Sequence, residues 1–248
     1  MKYRILGDDI QLVEILLEPG EMVQSETGAM TFMDADVHME TTTGGLLKGL
    51  KRMLAGESLF ITRFHNPTQR PLSVAFASAF PGKIIPLDLT QVGGAFLAQR
   101  TSFLVATSQV DISIAFTRRL GAGLFGGEGF ILQRFEGAGL VFLNAGGTIV
   151  EKDLAPGEVL KVDTGCIVGF APTVDYDIQF VKGFKNILFG GEGLFLAVLR
   201  GPGRVYLQSL PLSRLADRIL SAARRSVGEA RGAAGLGNEL LKGLLSGS

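Results

Sequence analysis

The sequence contains a single cysteine, Cys166, and no excess of charge of either sign. One cysteine cannot build a disulfide framework, so the composition favours a reducing compartment. Lys and Arg number 24 and Asp and Glu number 24, so the net charge is zero and no global field attracts nucleic acid or acidic lipid. We therefore expect a cytoplasmic protein, with the membrane surface as a second location.

Long hydrophobic runs are also absent, although 46% of the residues are hydrophobic and the mean hydropathy is +0.31. No stretch approaches the roughly 18 apolar residues that a spanning helix needs. Residues 1–9 lack the charged start, apolar stretch and cleavage site of a secretory signal. These features predict that the chain is not an integral membrane protein.

No recognised catalytic motif is present in the sequence. A Gly-x-Ser-x-Gly elbow is missing, and the two histidines, His38 and His65, lack metal-ligand spacing from each other and from Cys166. Residues 121–126 match Gly-x-Gly-x-x-Gly, but a strand rather than a helix is expected after them. Cys166 lies in an apolar stretch and is predicted to be a small buried side chain. The sequence predicts no catalytic residue, no cofactor and no metal, and hence no enzyme.

Glycine is abundant, with 34 residues, and a glycine-rich phrase recurs along the chain. The phrase reads Gly-Gly-Glu-Gly at 126–129 and again at 190–193, with a less exact copy, Ala-Gly-Glu-Ser, at 55–58. Self-similarity of this kind indicates a repeat architecture. We predict three copies of one unit, over residues 10–83, 84–147 and 148–210.

Short strands and tight turns fill each copy. Pro-Gly pairs predict turns at 19–20 and 156–157, because proline presets a negative φ and glycine accepts a positive one. Apolar and polar residues alternate at 110–116 and 174–180, as in half-buried strands. The prediction is an all-β fold made of three pseudo-threefold repeats of a double-stranded β-helix or sandwich-like unit, followed by a C-terminal α-helix.

Residues 211–231 carry a helical rather than a strand pattern. Leu212, Leu215 and Ile219 form an apolar stripe at helical spacing. We expect this stripe to pack on the β-domain of residues 1–210 or on a neighbouring subunit, because so short a helix is marginal alone in water. The Gly-rich stretch 232–248 is predicted to be a flexible tail.

Each copy contains a glycine-rich loop that ends in the recurring phrase, and these loops hold the candidate interaction residues. Three such loops on one side of a repeated body predict a homo-oligomer and an association surface for a protein or membrane partner. Packing of the same side chains into the core is the other interpretation. The apolar residues concerned are Leu46, Leu47, Leu50, Leu124, Phe125, Ile187, Leu188 and Phe189.

The loops also contain charged residues. Glu57, Glu128 and Glu192 stand at equivalent points of the phrase. The favoured interpretation is that each carboxylate accepts hydrogen bonds from N–H groups of its own turn, and the other is a cation site. Basic side chains make nucleic acid an alternative partner, less favoured because the net charge is zero. They are Lys48, Lys51, Arg52, Arg118, Arg119, Lys182 and Lys185.

The threefold β pattern, the Pro-Gly-Glu turns, the Phe-Gly-Gly-Glu-Gly phrases and the trailing Leu- and Ala-rich helix resemble a known family. It comprises small bacterial and archaeal proteins related to the altered-inheritance-of-mitochondria, or mitochondrial biogenesis, factor. The resemblance implies a β fold similar to the tryptophan RNA-binding attenuation protein, with no established enzymatic activity in prokaryotic members and a membrane-organising association in the mitochondrial one. Ala55 and Ser58 depart from the phrase, and no site residue carries over.

These patterns together predict a non-enzymatic, oligomeric β scaffold. It would bind a protein or membrane-surface partner through three equivalent glycine-rich apolar loops. The alternative function is binding of RNA or another nucleic acid through the basic residues of the same loops. The salt dependence of binding distinguishes the two functions, because phosphate contacts weaken steeply as the salt concentration rises, whereas docking of apolar side chains does not.

Overall fold

A computed structural model of the chain describes residues 1–42, 61–118, 130–181, 194–220 and 222. These residues form nineteen β-strands, arranged in four antiparallel sheets, and one C-terminal helix. The predicted all-β class with a C-terminal helix is therefore confirmed at this level.

The strands fall into three successive groups of six, preceded by β1 (Lys2–Leu6). The first group is β2 (Leu12–Leu17), β3 (Met22–Glu26), β4 (Met30–Met33), β5 (His38–Thr42), β6 (Ile61–His65) and β7 (Leu72–Ala77). The second is β8 (Lys83–Asp88), β9 (Ala95–Gln99), β10 (Phe103–Thr107), β11 (Val110–Arg118), β12 (Phe130–Gly137) and β13 (Leu140–Ala145). The third is β14 (Ile149–Leu154), β15 (Val159–Asp163), β16 (Ile167–Phe170), β17 (Asp175–Val181), β18 (Leu194–Arg200) and β19 (Gly203–Gln208).

The predicted Pro-Gly turns join the first two strands of the first and third groups. Gly20 has φ 79° and Gly157 has φ 78°, the left-handed conformation that glycine adopts without strain. In each turn the following glutamate closes the structure: the Glu18 N–H donates to a carboxylate oxygen of Glu21 at 2.9 Å, and the Ala155 N–H donates to Glu158 at 2.9 Å. The turn prediction is confirmed at both positions.

Strands within a group pair in the same order in all three groups. The first strand pairs with the sixth, the third with the sixth, the second with the fifth and the fourth with the fifth. Each group therefore contributes two layers of three strands, one made of its first, third and sixth strands and the other of its second, fourth and fifth.

Neighbouring groups join edge to edge. β3 pairs with β10, and β9 pairs with β16, so that two six-stranded sheets run across the group boundaries. The two remaining layers stay separate, as a four-stranded sheet of order β1-β2-β7-β4 and a three-stranded sheet of order β15-β18-β17. In the described part of the chain, β4 and β15 are consequently edge strands, whereas their counterparts lie inside sheets.

The described residues form three hydrophobic cores between the layers, and each core is built mainly by one group. The first contains an edge-to-face pair of Phe64 and Phe76, whose ring centroids are 5.2 Å apart. Buried and partly exposed residues alternate along β2 and β3, as in half-buried strands. Burial of about a dozen large side chains in each core is the main stabilising contribution, at roughly 1.5–3 kcal/mol for each fully buried side chain.

The C-terminal helix covers residues 212–220 and begins directly after Pro211. Within it Leu212 is 44% exposed and Ile219 is 60% exposed. Residues 1–211 form one compact unit and the helix belongs to a second. The predicted packing of the helix stays a prediction, and the predicted tail 232–248 lies outside the described residues. Along the ranges that the structure describes, no helix is long and apolar enough to cross a membrane.

Cys166 differs from its prediction. It ends a short 3₁₀ turn, Thr164–Cys166, and is partly exposed at the rim of the third core rather than buried within a strand. The strand begins one residue later, because the Asp163 side chain accepts a hydrogen bond from the Gly165 N–H at 2.9 Å and holds the turn. An apolar sequence pattern does not reveal such a side-chain cap.

Candidate functional site: the three strand pairs that carry the glycine-rich segments

The three glycine-rich segments connect the fourth and fifth strands of their groups. These strands are antiparallel neighbours in every case, and the last matched residues are Thr42 with Ile61, Arg118 with Phe130, and Val181 with Leu194. Segments 43–60, 119–129 and 182–193 therefore begin and end at corresponding places in the three groups. Recurring phrases lead directly into β12 and β18, as the sequence predicts.

The predicted interaction residues themselves lie outside the described residues. This applies to all eight apolar residues, to the three glutamates, and to every basic candidate except Arg118, which ends β11. The choice between association and core packing accordingly stays open. The eleven apolar and acidic residues are Leu46, Leu47, Leu50, Leu124, Phe125, Ile187, Leu188, Phe189, Glu57, Glu128 and Glu192.

Aromatic packing anchors the base of the second segment in the third core. Phe130, the first residue of β12, is 1% exposed, and its ring lies 6.4 Å from that of Phe116. Phe116 also meets the Tyr176 ring edge to face, with centroids 5.5 Å apart, and Tyr176 packs on Phe170. Burial raises the pKa of the Tyr176 hydroxyl, and the nearby Asp175 carboxylate raises it further. The strands that carry this segment are thus held firmly in place.

Two arginines on or near these strands, Arg134 and Arg204, are paired with carboxylates. Arg134 lies 2.6 Å from Glu136, and hydrogen bonding to its guanidinium lowers the pKa of the Glu136 carboxyl. Arg204 contacts Asp153 through two nitrogens, at 2.9 and 3.0 Å, which lowers the pKa of the Asp153 carboxyl for the same reason. Arg204 also lies 2.8 Å from Glu151. β12 therefore carries one paired charge, and the neighbouring strands β14 and β19 carry a second cluster of paired charges.

The structure brings together two histidines that sequence spacing keeps apart. His38 in β5 lies directly opposite His65 in β6. Segment 43–60 separates the two strands in sequence, so only the strand register could reveal the pair. In residues whose positions are described, no three His, Cys, Asp or Glu side chains come together as a metal site would require.

Two buried amide side chains, Asn66 and Gln208, tie parts of the fold together. The Asn66 amide nitrogen donates to the carbonyl oxygens of Leu17 and Arg70, each at 2.8 Å. Gln208 accepts from the Gly146 N–H at 2.8 Å and donates to the Gly165 carbonyl at 2.9 Å, which ties the last strand to two turns. Among the side chains that the structure describes, no Asp, Glu, His, Lys or Arg is buried. Sequence reasoning missed both amides, because an isolated Asn or Gln gives no periodic signal.

Comparison with known proteins identifies the family. A family model described as Mitochondrial biogenesis AIM24 matches residues 3–210. The chain belongs to the Mitochondrial biogenesis AIM24 family. The match spans β1 to β19, includes all three glycine-rich segments, and ends before the helix that begins at 212. The family resemblance that the sequence suggested is therefore confirmed.

Two relatives in Streptococcus pyogenes support this assignment. One is an uncharacterised protein of the serotype M6 strain, which is 32% identical over 222 residues that cover 84% of this chain and 85% of the relative. The other is a protein of that species with a crystal structure, which matches with a TM-score of 0.72 and 27% identity, over 89% of this chain and 99% of the other. This member of the AIM24 family thus shares its fold with a solved relative.

Proposed function

We propose that this AIM24-family protein is a non-enzymatic, oligomeric β scaffold that binds a protein or membrane-surface partner through its three glycine-rich segments. The observation that carries the proposal is the shared base of the segments: each joins the fourth and fifth strands of its group, and these two strands pair in all three groups. The proposed location is the cytoplasm, including the cytoplasmic face of a membrane.

The proposal treats the three strand groups as equivalent pseudo-threefold repeats of one unit. It also includes a fold similar to the tryptophan RNA-binding attenuation protein in a prokaryotic protein. The identical pairing order of the three groups supports the relation, and so does the edge-to-edge joining of β3 with β10 and of β9 with β16. Under this relation the three segments project from equivalent positions on one side of the body.

The test is a variant that removes apolar contact area from two segments at once, with Leu124, Phe125, Leu188 and Phe189 replaced by serine. Each large apolar side chain contributes roughly 1.5–3 kcal/mol when fully buried, so the loss would exceed what a weak association can tolerate. We expect an unchanged far-ultraviolet circular dichroism spectrum and loss of self-association or of binding to anionic vesicles. Light scattering and vesicle flotation measure these two properties.

A matched control replaces four exposed apolar residues outside the segments by serine, namely Leu6, Ile10, Met39 and Val150. This control should retain association and vesicle binding. Unfolding of the segment variant, with the control folded, would mean that the four side chains belong to the core, and the proposal would fail.

Nucleic-acid binding is the alternative function that the basic residues of the segments favour. The candidate positions are Lys48, Lys51, Arg52, Arg118, Arg119, Lys182 and Lys185. Phosphate contacts predict that affinity for single-stranded RNA falls steeply as salt rises. Salt-sensitive RNA binding that the serine variant leaves intact would favour this alternative over the scaffold.

A further inference from the structure

We propose that β15 of one copy of this chain pairs antiparallel with β4 of a second copy. The pairing would join the three-stranded sheet of one chain to the four-stranded sheet of the next. The inference rests on the proposed equivalence of the strand groups, but it involves none of the glycine-rich segments.

The chain already contains two examples of this contact. At the first group boundary Gln24 in β3 lies opposite Ala106 in β10, and at the second boundary Leu97 in β9 lies opposite Phe170 in β16. In both cases the second strand of one group pairs with the third strand of the following group. β15 is the second strand of the last group and β4 is the third strand of the first, so each has the half of the contact that the other lacks.

Burial distinguishes β4 from its paired counterparts, β10 and β16, and exposed apolar side chains lie on both edge strands. All residues of β10 and β16 are buried. In β4, by contrast, Phe32 is 45% exposed, and in β15 Val159 is 52% exposed. An exposed edge with apolar side chains is a ready template for pairing with another strand.

The backbone of β4 has the shape of the strands that do pair. Its register against β7 shifts between Met30 and Phe32, and β10 and β16 shift at the corresponding points against their own neighbours. β10 and β16 have this irregularity and still pair with β3 and β9 along their other edges. The irregularity in β4 therefore does not prevent another strand from pairing with the β4 edge.

The register of the proposed contact follows from the internal examples. Met33 in β4 corresponds to Phe170 in β16, because each is the last matched residue against the sixth strand of its group. Lys161 corresponds to Leu97, because each lies three residues before a 3₁₀ turn, the turns starting at Thr164 and Arg100. Lys161 of one copy should then lie opposite Met33 of the next, with Val162 opposite Phe32.

A second copy is the partner because the two strands do not pair with each other within one chain. In the described ranges β4 pairs with β7 alone and β15 with β18 alone. Among the described residues, no core combines fully buried side chains of the first group with those of the third, although the partly buried Ile61 of the first group packs against the second core. A contact between two different surfaces of identical chains is head to tail, so repetition closes into a ring or extends as a filament.

Disulfide trapping tests the register directly. Two single-cysteine variants, Met33→Cys and Lys161→Cys, are made with Cys166→Ala as background and mixed under mild oxidation. Opposed residues of antiparallel strands have Cα atoms about 4.5–5.5 Å apart, which a disulfide can bridge. We expect a cross-linked dimer from the mixture. Each single variant alone should cross-link far less.

The matched control mixes Met33→Cys with Glu151→Cys. Glu151 is exposed on β14, an edge strand of a different sheet from β4 and β15, so this mixture should give no cross-link above background. A chain that carries both Met33→Cys and Lys161→Cys tests the competing geometry. A bond formed only within this single chain would overturn the proposal in favour of internal closure. Absence of any bond in either experiment would overturn it as well.

A charge on the β4 edge provides the second measurement. Phe32→Lys should lower the mass in light scattering relative to wild type, while Met39→Lys, at a 50% exposed site on β5, should leave the mass unchanged. An unchanged mass for Phe32→Lys would contradict the proposal. Vesicle binding of Phe32→Lys separates the two proposals. A variant that loses self-association but still binds vesicles has lost the contact at the β4 edge and not the function proposed for the glycine-rich segments.

Discussion

At the scale of single residues, Asn66 organises the connection from β6 to β7. Its amide nitrogen donates to two carbonyl oxygens, while its oxygen accepts from the Thr68 N–H at 2.9 Å and from the Thr68 hydroxyl at 2.8 Å. The side chain is fully buried, so water cannot replace these bonds. We expect Asn66→Ala to lower the free energy of unfolding by about 3 kcal/mol, measured by chemical denaturation. Gln179→Ala, at an exposed site, should change it by less than about 0.5 kcal/mol.

Glu14 makes stability depend on acid. Its carboxylate accepts hydrogen bonds from Arg4 at 2.5 Å and from the Ser73 hydroxyl at 2.6 Å, and these bonds lower the pKa of Glu14 in the folded state. A lowered folded-state pKa means that the stabilisation is complete above the unfolded pKa of about 4.3 and is lost as pH falls through the lower folded value. Glu14→Gln should cost about 1 kcal/mol at pH 7, and the difference from wild type should shrink below about pH 4.

Denaturation curves across this pH range check the Glu14 prediction. Asp111→Asn, at an exposed site on β11, serves as the control and should follow the wild-type curve. A difference between Glu14→Gln and wild type that stays constant from pH 7 to about pH 3 would show that the carboxylate charge is not the cause.

At the scale of elements, glycine allows β9 and β16 to approach closely. A Cβ atom at Gly169 would lie 2.5 Å from a ring carbon of Phe96 and 2.6 Å from the Leu97 carbonyl oxygen. Gly169→Ala should therefore destabilise the protein by about 1–3 kcal/mol and lower the melting temperature by roughly 2–4 °C per kcal/mol. Gly20→Asn should cost less, because nothing lies within 4 Å of its Cβ position and asparagine tolerates a positive φ. A smaller loss at Gly169 than at Gly20 would contradict this account.

Element identity was largely predictable from sequence, and element pairing was not. The Pro-Gly turns and the alternating stretch at 110–116 carry their signal within a few residues, and β11 begins where the alternation begins. The opposition of His38 and His65 has no such signal, because their strands are separated by residues 43–60. The predicted interaction site stays a prediction, because its apolar and acidic side chains all lie outside the described residues.

At the scale of the whole molecule, the proposed head-to-tail pairing predicts that thermal stability depends on protein concentration. Association stabilises the folded chain by mass action, by about 2.7 kcal/mol when the partner is present at a hundred times its dissociation constant. We expect the wild-type melting temperature to rise over about a hundredfold increase in protein concentration, measured by calorimetry. The melting temperature of Phe32→Lys should rise less over the same series. A wild-type value independent of concentration would count against pairing between copies.

The sequence by itself determined the all-β class, the two Pro-Gly turns and the presence of a C-terminal helix, because these depend on φ preferences and on periodicity over short stretches. It also suggested the repeat, since similar phrases can be compared without any contact between them. Only the tertiary structure decided which strands meet, such as β3 with β10, and which edges, β4 and β15, are left over. The reason is that strands pair through backbone N–H and C=O groups, which are alike at almost every residue, so that side-chain patterns specify the buried face but not the neighbouring strand.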